Sequence, residues 1–353
     1  MVSSNWIFSK RQDLLILFLP VWLCWIVSFL LPEDLLLLDL PLWVWIVFVI
    51  GIDVSHVWSS IFRTYLDPEE FRNHRILLLL APIFAFLFSY LIASFSTLIF
   101  WRCLAYIAGF HFIKQQYGFM RIYKAKARDF KPTRITDDFI IYFAMLYPVV
   151  FWHINPNRNF EWFVPGDFLT LSFGDLSAVN TIGSLLYFLI IGYWLYEQIR
   201  LGNCKNSIGK VLWVLTTAGN WYIGIVYFNS DLVFTITNVV AHGLPYLGLV
   251  IIYQRKKSVW SKGKRLTQSA VVILLVVMLL AFSEEYLWDL LVYRDNEQFF
   301  SNLLPYKIGL PSPQIQVIAT ALLSLPQLTH YIIDGFIWKN NAKNPHLKSL
   351  LTS

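Results

Sequence analysis

The chain has 353 residues, of which 57% are hydrophobic and only 14% charged, with a formal net charge of +6. A soluble globular domain carries about 25% charged residues, so water is excluded as the solvent for most of this chain. Cys24, Cys103 and Cys204 are scattered with no CxxC spacing, which excludes a disulfide framework and a cysteine metal site.

Apolar runs of about 20 residues, the length that crosses a hydrocarbon core, recur along the whole chain. They predict an all-α, polytopic integral membrane helical bundle, with residues 1–353 forming a single transmembrane domain. Ten spans are expected, at 14–31, 40–62, 76–96, 98–120, 138–155, 180–199, 210–229, 231–254, 269–292 and 314–338. The polar, basic stretch Met1–Asp13 precedes an apolar run with no small-residue cleavage site, which reads as a retained first span and not a cleaved signal. The longest connections, near 156–179 and 293–313, hold proline and aromatic residues and are expected to fold over the membrane surface. The 15 Trp, 18 Tyr and 29 Phe are expected in interfacial belts, helix packing and lipid contact.

Lysine and arginine placement sets the expected orientation. The N-terminus and the stretches near 63–75, 121–137, 200–210, 255–268 and 339–353 hold two, three, six, three, six and three of them, 23 of the 28. The opposite loops hold Arg158, Arg294 and Lys307 and are otherwise acidic, with Glu33, Asp34, Asp39, Glu161, Asp167, Asp175, Asp231, Asp295 and Glu297. This bias predicts both termini in the cytoplasm, and it explains the net positive charge without nucleic-acid binding. The expected location is a multi-pass protein, in the inner membrane if the source is bacterial.

Four expected spans carry one histidine each. His56 lies seven residues before Arg63, His111 ten before Arg121, His242 thirteen before Arg255 and His330 nine before Lys339. At about 1.5 Å per residue, all four fall roughly 10–20 Å beneath the basic edge. Each has a polar companion three or four residues away, on the same helix face: Asp53 for His56, Gln115 for His111, Asn238 for His242, and Gln327 and Asp334 for His330. Ligand imidazoles need their second ring nitrogen held by a carboxylate or carbonyl, and ionisable groups inside a membrane default to a functional reading. The expected metal ligands are therefore His56, His111, His242, His330, Asp53 and Asp334, with Gln115, Asn238, Gln327, Lys114 and Tyr246 around them. A nitrogen and oxygen set without cysteine suits iron, one or two ions, with zinc, copper or manganese also compatible.

Other residues carry blander expectations. Lys114 is expected to snorkel to the cytoplasmic edge, and Tyr117, Tyr246 and Tyr331 to pack near the histidines. Glu284, Glu285 and Asp289 are expected to pair with Arg102 or to lie at the interface. His74, His153 and His346 read as surface residues. Arg63–Arg75 reads as a solvated helix start after Pro68.

The expected function is an integral membrane metalloenzyme with its site near the cytoplasmic side, oxidising (hydroxylating, desaturating or cleaving) a membrane lipid, polyisoprenoid or other apolar substrate with an electron donor as partner. In this logic alone it resembles the membrane desaturases and hydroxylases, which cluster histidines on the cytosolic side; their HxxxH and HxxHH boxes do not occur here. The alternatives are a haem b-binding electron carrier, a transporter or lipid-handling protein with a polar intramembrane site, and a cofactor-free transferase using one histidine as base.

Overall fold

The computed structural model describes residues 4–37, 40–129, 131–260, 269–303, 309–339, 341, 344 and 347. Expectations for Asp39, Lys307, His346 and the basic stretch 261–268 lie outside the described residues. Among the described residues there is no strand, and twelve helices carry the architecture. In chain order they are α1 (Lys10–Leu30) and α2 (Leu42–Arg63), α3 (Pro68–Asn73), α4 (Arg75–Phe95), α5 (Thr97–Ala127), α6 (Asp137–Ile154), α7 (Ser177–Arg200), α8 (Ile208–Trp221), α9 (Asp231–Trp260), α10 (Ala270–Leu291), α11 (Pro313–Leu323) and α12 (Leu325–Ile337). Seven of these, α1, α2, α4, α6, α7, α9 and α10, are long and apolar enough to cross a membrane. The chain thus has the make-up of a multi-pass helical membrane protein.

The expected last span, 314–338, is instead two helices broken at Ser324. Pro326 is the cause: it lacks an N–H and fits only the first turn of a new helix. The Ser324 hydroxyl lies 3.1 Å from that of Ser89 on α4. Backbone of the π type, with i→i+5 bonds, occupies Leu14–Phe18 of α1, Trp45–Val54 of α2, and Tyr222–Tyr227 directly after α8.

The helices form two compact units. The first is built from Met1–Phe48 and Ala108–Gly248, the second from Val49–Ile107 and Leu249–Lys348. In the first unit, Asn220 of α8 stitches three helices: its Oδ1 accepts from Trp25 Nε1 (3.1 Å) and its Nδ2 donates to the Thr237 carbonyl (3.2 Å). Close approach at this seam requires Gly224, where a Cβ would collide with Thr237 Oγ1. Lys210, fully buried, donates to Asp129, Asp137 and the Gln198 side-chain carbonyl at 2.5–3.2 Å. A buried ammonium is tolerated only when its protons are all met in this way.

The second unit packs Leu78 and Ala81 of α4 against Ile333 and Ile337 of α12. The segment after α2 departs from the expected solvated helix start. Asp67 does cap α3, accepting from the Glu69 and Glu70 N–H groups. Glu70, however, is fully buried, 2.5 Å from Arg63 Nη1, and it accepts from Tyr253 Oη (2.9 Å) and Lys257 Nζ (3.4 Å). Arg63 also donates to the Ile337 carbonyl and lies over the Tyr253 ring. His74, expected at the surface, is buried beside this cluster, 3.7 Å from Glu70. The cause is mutual: opposite charges close in sequence satisfy one another and so can leave water together.

Prolines inside helices leave the carbonyl four residues back without its usual donor. Pro82 of α4 frees Leu78, whose carbonyl accepts from Tyr65 Oη at 2.8 Å. Pro148 of α6 frees Ala144, whose carbonyl accepts from Tyr187 Oη at 2.9 Å. Tyr65→Phe should therefore cost about 1–3 kcal/mol, the penalty of an unsatisfied buried carbonyl. Adding Pro82→Ala, which restores the backbone donor, should recover most of it; thermal unfolding in detergent measures both.

Candidate metal centre

The four histidines are buried, and each unit holds two of them. In the second unit, His56 of α2 and His330 of α12 meet edge to face, ring centres 5.1 Å apart at 79°. Each has an acid beside its Nδ1: Asp53 Oδ1 lies 3.5 Å from His56 and Asp334 Oδ1 3.7 Å from His330. These are ion-pair separations, longer than a hydrogen bond. A spacing of three residues across the junction of π and α backbone in α2, and of four along the α-helix α12, brings each acid to its imidazole. With Nδ1 turned to a carboxylate, Nε2 is the nitrogen suited to a metal, the carboxylate–histidine–metal arrangement. The Ser59 hydroxyl donates to the His56 carbonyl at 2.6 Å and Ser55 to Ile50 at 2.8 Å, which holds the turn where π backbone passes into α-helix.

Gln327 is not turned to His330 through the hydrogen bond expected from its spacing. Its Nε2 donates to Tyr331 Oη at 2.8 Å, and the Tyr331 ring lies 5.7 Å from that of His330. Glu284 accepts from the indole N–H groups of Trp58 (2.6 Å) and Trp288 (3.5 Å), and Asp289 accepts from the Asn296 N–H (2.7 Å). Tryptophan donors, invisible to a search for charge partners, satisfy Glu284 next to the helix that carries His56.

In the first unit, His111 of α5 and His242 of α9 also meet edge to face, ring centres 5.0 Å apart at 77°. Phe112 stacks flat on His242 at 3.5 Å and 8°. Behind Phe112 stands an aromatic wall supplied by the loop after α6. Trp162 contacts Phe112 at 5.0 Å, Phe168 stacks on Trp152 at 4.2 Å, and Phe160 stacks on Phe234 at 4.6 Å. The loop packs on α5, α6 and α9 through these aromatic residues. Arg158 pins the same loop, donating to the Ile225 and Phe228 carbonyls at 2.5 Å each. Burial lowers its pKa to about 10, which leaves it charged at neutral pH.

Of the expected companions, Gln115 donates to the backbone carbonyl of His242 at 2.8 Å, and Asn238 to the Phe234 carbonyl of its own helix at 2.9 Å. Tyr246 is fully buried. Lys114 is exposed and turns to Tyr142 Oη (3.0 Å) and the Tyr117 face (4.8 Å). Gln116 carries no signal in the histidine spacing, yet it donates to the Ala241 carbonyl at 3.0 Å. That carbonyl is the one freed by Pro245 of α9. A proline inside a membrane helix, read together with a glutamine on another, is the signal that points to it.

His56, His111, His242 and His330 are buried imidazoles of the kind that could hold a metal ion. Asp53 and Asp334, expected as ligands, stand beside the two Nδ1 atoms, where they would orient imidazoles and supply negative charge. Asp53→Ala and Asp334→Ala should each weaken Co2+ binding by the group by roughly 10–100-fold, as read by titration of the detergent-purified protein. No protein-family model, curated protein or solved structure matches the chain.

Proposed function

We propose that the chain is an integral membrane metalloenzyme in which His56, His111, His242 and His330 hold one metal ion. The observation that carries this reading is the edge-to-face approach of two buried imidazoles within each unit, ring centres 5.1 Å apart for His56 and His330 and 5.0 Å for His111 and His242. An all-imidazole set suits zinc, copper, nickel or iron. Iron is the metal of choice here, because the apolar helices around the group favour a hydrocarbon substrate and oxidation is the chemistry that unactivated C–H bonds require. The reaction class is oxidation of a lipid or polyisoprenoid chain. With dioxygen as oxidant and two electrons and two protons from a donor protein, one C–H bond becomes C–OH and the second oxygen atom leaves as water. In this reading ten membrane crossings place both termini on the cytoplasmic side, following the lysine and arginine bias of the loops.

The chain's own residues have separable roles. Asp53 and Asp334 fix the orientation of His56 and His330 and offset the cation's charge. Phe112 fixes the plane of His242, and Trp162, Phe168, Trp152, Phe160 and Phe234 keep that side dry. The edge-to-face contact within each histidine pair argues for a bare metal ion over haem, since axial imidazoles of a haem stand apart on opposite faces of the macrocycle.

Elemental analysis and an absorption spectrum of the detergent-purified protein test the reading. About one iron per chain, no Soret band, and loss of the metal in His56→Ala and His242→Ala are expected. A Soret band would move the assignment to haem. Folded protein that takes up none of Fe2+, Co2+, Zn2+ or Cu2+ would sink it.

A further inference from the structure

Pro245 cannot donate to the Ala241 carbonyl, and Gln116 Nε2 takes its place at 3.0 Å. The amide is not free to turn: its Oε1 accepts from Thr217 Oγ1 at 3.0 Å, so its NH2 must face Ala241. The backbone of Gln116 is held as well, its carbonyl accepting from Trp213 Nε1 at 2.9 Å. One residue earlier, Gln115 Nε2 donates to the carbonyl of His242 itself at 2.8 Å. Two consecutive glutamines of α5 therefore grip two consecutive carbonyls of α9, those of Ala241 and His242. The gripped turn carries one imidazole of the His111–His242 pair, and the gripping helix carries the other, His111, four residues before Gln115.

We propose that Gln115 and Gln116 are positioning residues of the metal centre, a clamp on the turn of α9 that Pro245 leaves without a backbone donor, which sets the His242 ring against His111. Tyr65 and Tyr187 meet the carbonyls freed by Pro82 and Pro148 in the same way, but neither neighbours a histidine of the group in sequence. Of these three donors, Gln116 is the one whose bond joins two helices that both carry a ligand imidazole. The proposal rests on the reading of the four histidines as a metal centre, and its test separates the two.

The experiment titrates Co2+, whose d–d absorption reports ligand geometry, into detergent-purified wild type, Gln115→Met, Gln116→Met, Gln116→Met/Pro245→Ala and Tyr187→Phe. Hydrogen exchange of the 238–250 segment is followed in the metal-free proteins. Gln115→Met and Gln116→Met should bind Co2+ roughly 10–100-fold more weakly, with a changed d–d spectrum. Tyr187→Phe, which also bares a carbonyl, should lose thermal stability while keeping wild-type affinity and spectrum. Pro245→Ala should restore stability and slow exchange to Gln116→Met, because the backbone donor returns. It should not restore affinity, because the bond from α5 that sets the His242-bearing turn against His111 is still missing. Wild-type affinity and spectrum in both glutamine variants would overturn the clamp and leave the metal reading standing. Wild type that binds no Co2+ would overturn the metal reading instead, and the exchange data would then decide the clamp: unchanged exchange at 238–250 in Gln116→Met would overturn it.

Discussion

A carbonyl freed by proline inside an apolar helix has no water to turn to, and its desolvation penalty remains unless another side chain supplies a proton. Three prolines inside helices, Pro82, Pro148 and Pro245, meet this constraint with a side-chain donor from elsewhere in the chain: Tyr65 for Leu78, Tyr187 for Ala144 and Gln116 for Ala241. Each bond fixes a proline-bearing helix to another segment of the chain. The cost of the lost backbone bond is thereby turned into register between elements, which dispersion between apolar surfaces alone specifies poorly.

The same rule governs charge. Lys210 reaches two aspartates and an amide oxygen, and Arg63 reaches Glu70, a carbonyl and an aromatic face. Such clusters contribute less to net stability than their short distances suggest, because both partners were desolvated to form them. What they do is penalise any packing in which one partner is displaced. His56 and His330 of the second unit follow the pattern, each with its own aspartate.

The histidine group was legible in the sequence because it depends on two local quantities, depth along a helix and spacing around it. His56 with Asp53 and His330 with Asp334 share a face by counting alone, and the structure places each pair within 4 Å. Gln327 obeys the same count yet bonds Tyr331, since a shared face does not choose between two neighbours. Gln116 and Trp58 escaped notice because their partners, Ala241 and Glu284, are distant in sequence and one of them is backbone. His74 was misplaced for a related reason: a stretch rich in both charge signs reads as solvated until Tyr253 and Lys257 of α9 close over Glu70.

The break at Ser324 separates α11 from α12 only six residues before His330. In a continuous helix, one inserted or deleted residue rotates everything beyond it by about 100°. Here that phase is reset where Pro326 starts a new helix, so the bearing of His330 is set by the first turns of α12 and by its packing on α4. The segment upstream is free to change length over evolutionary time without swinging this imidazole off its heading, a freedom His111 and His242, deep inside long helices, do not share.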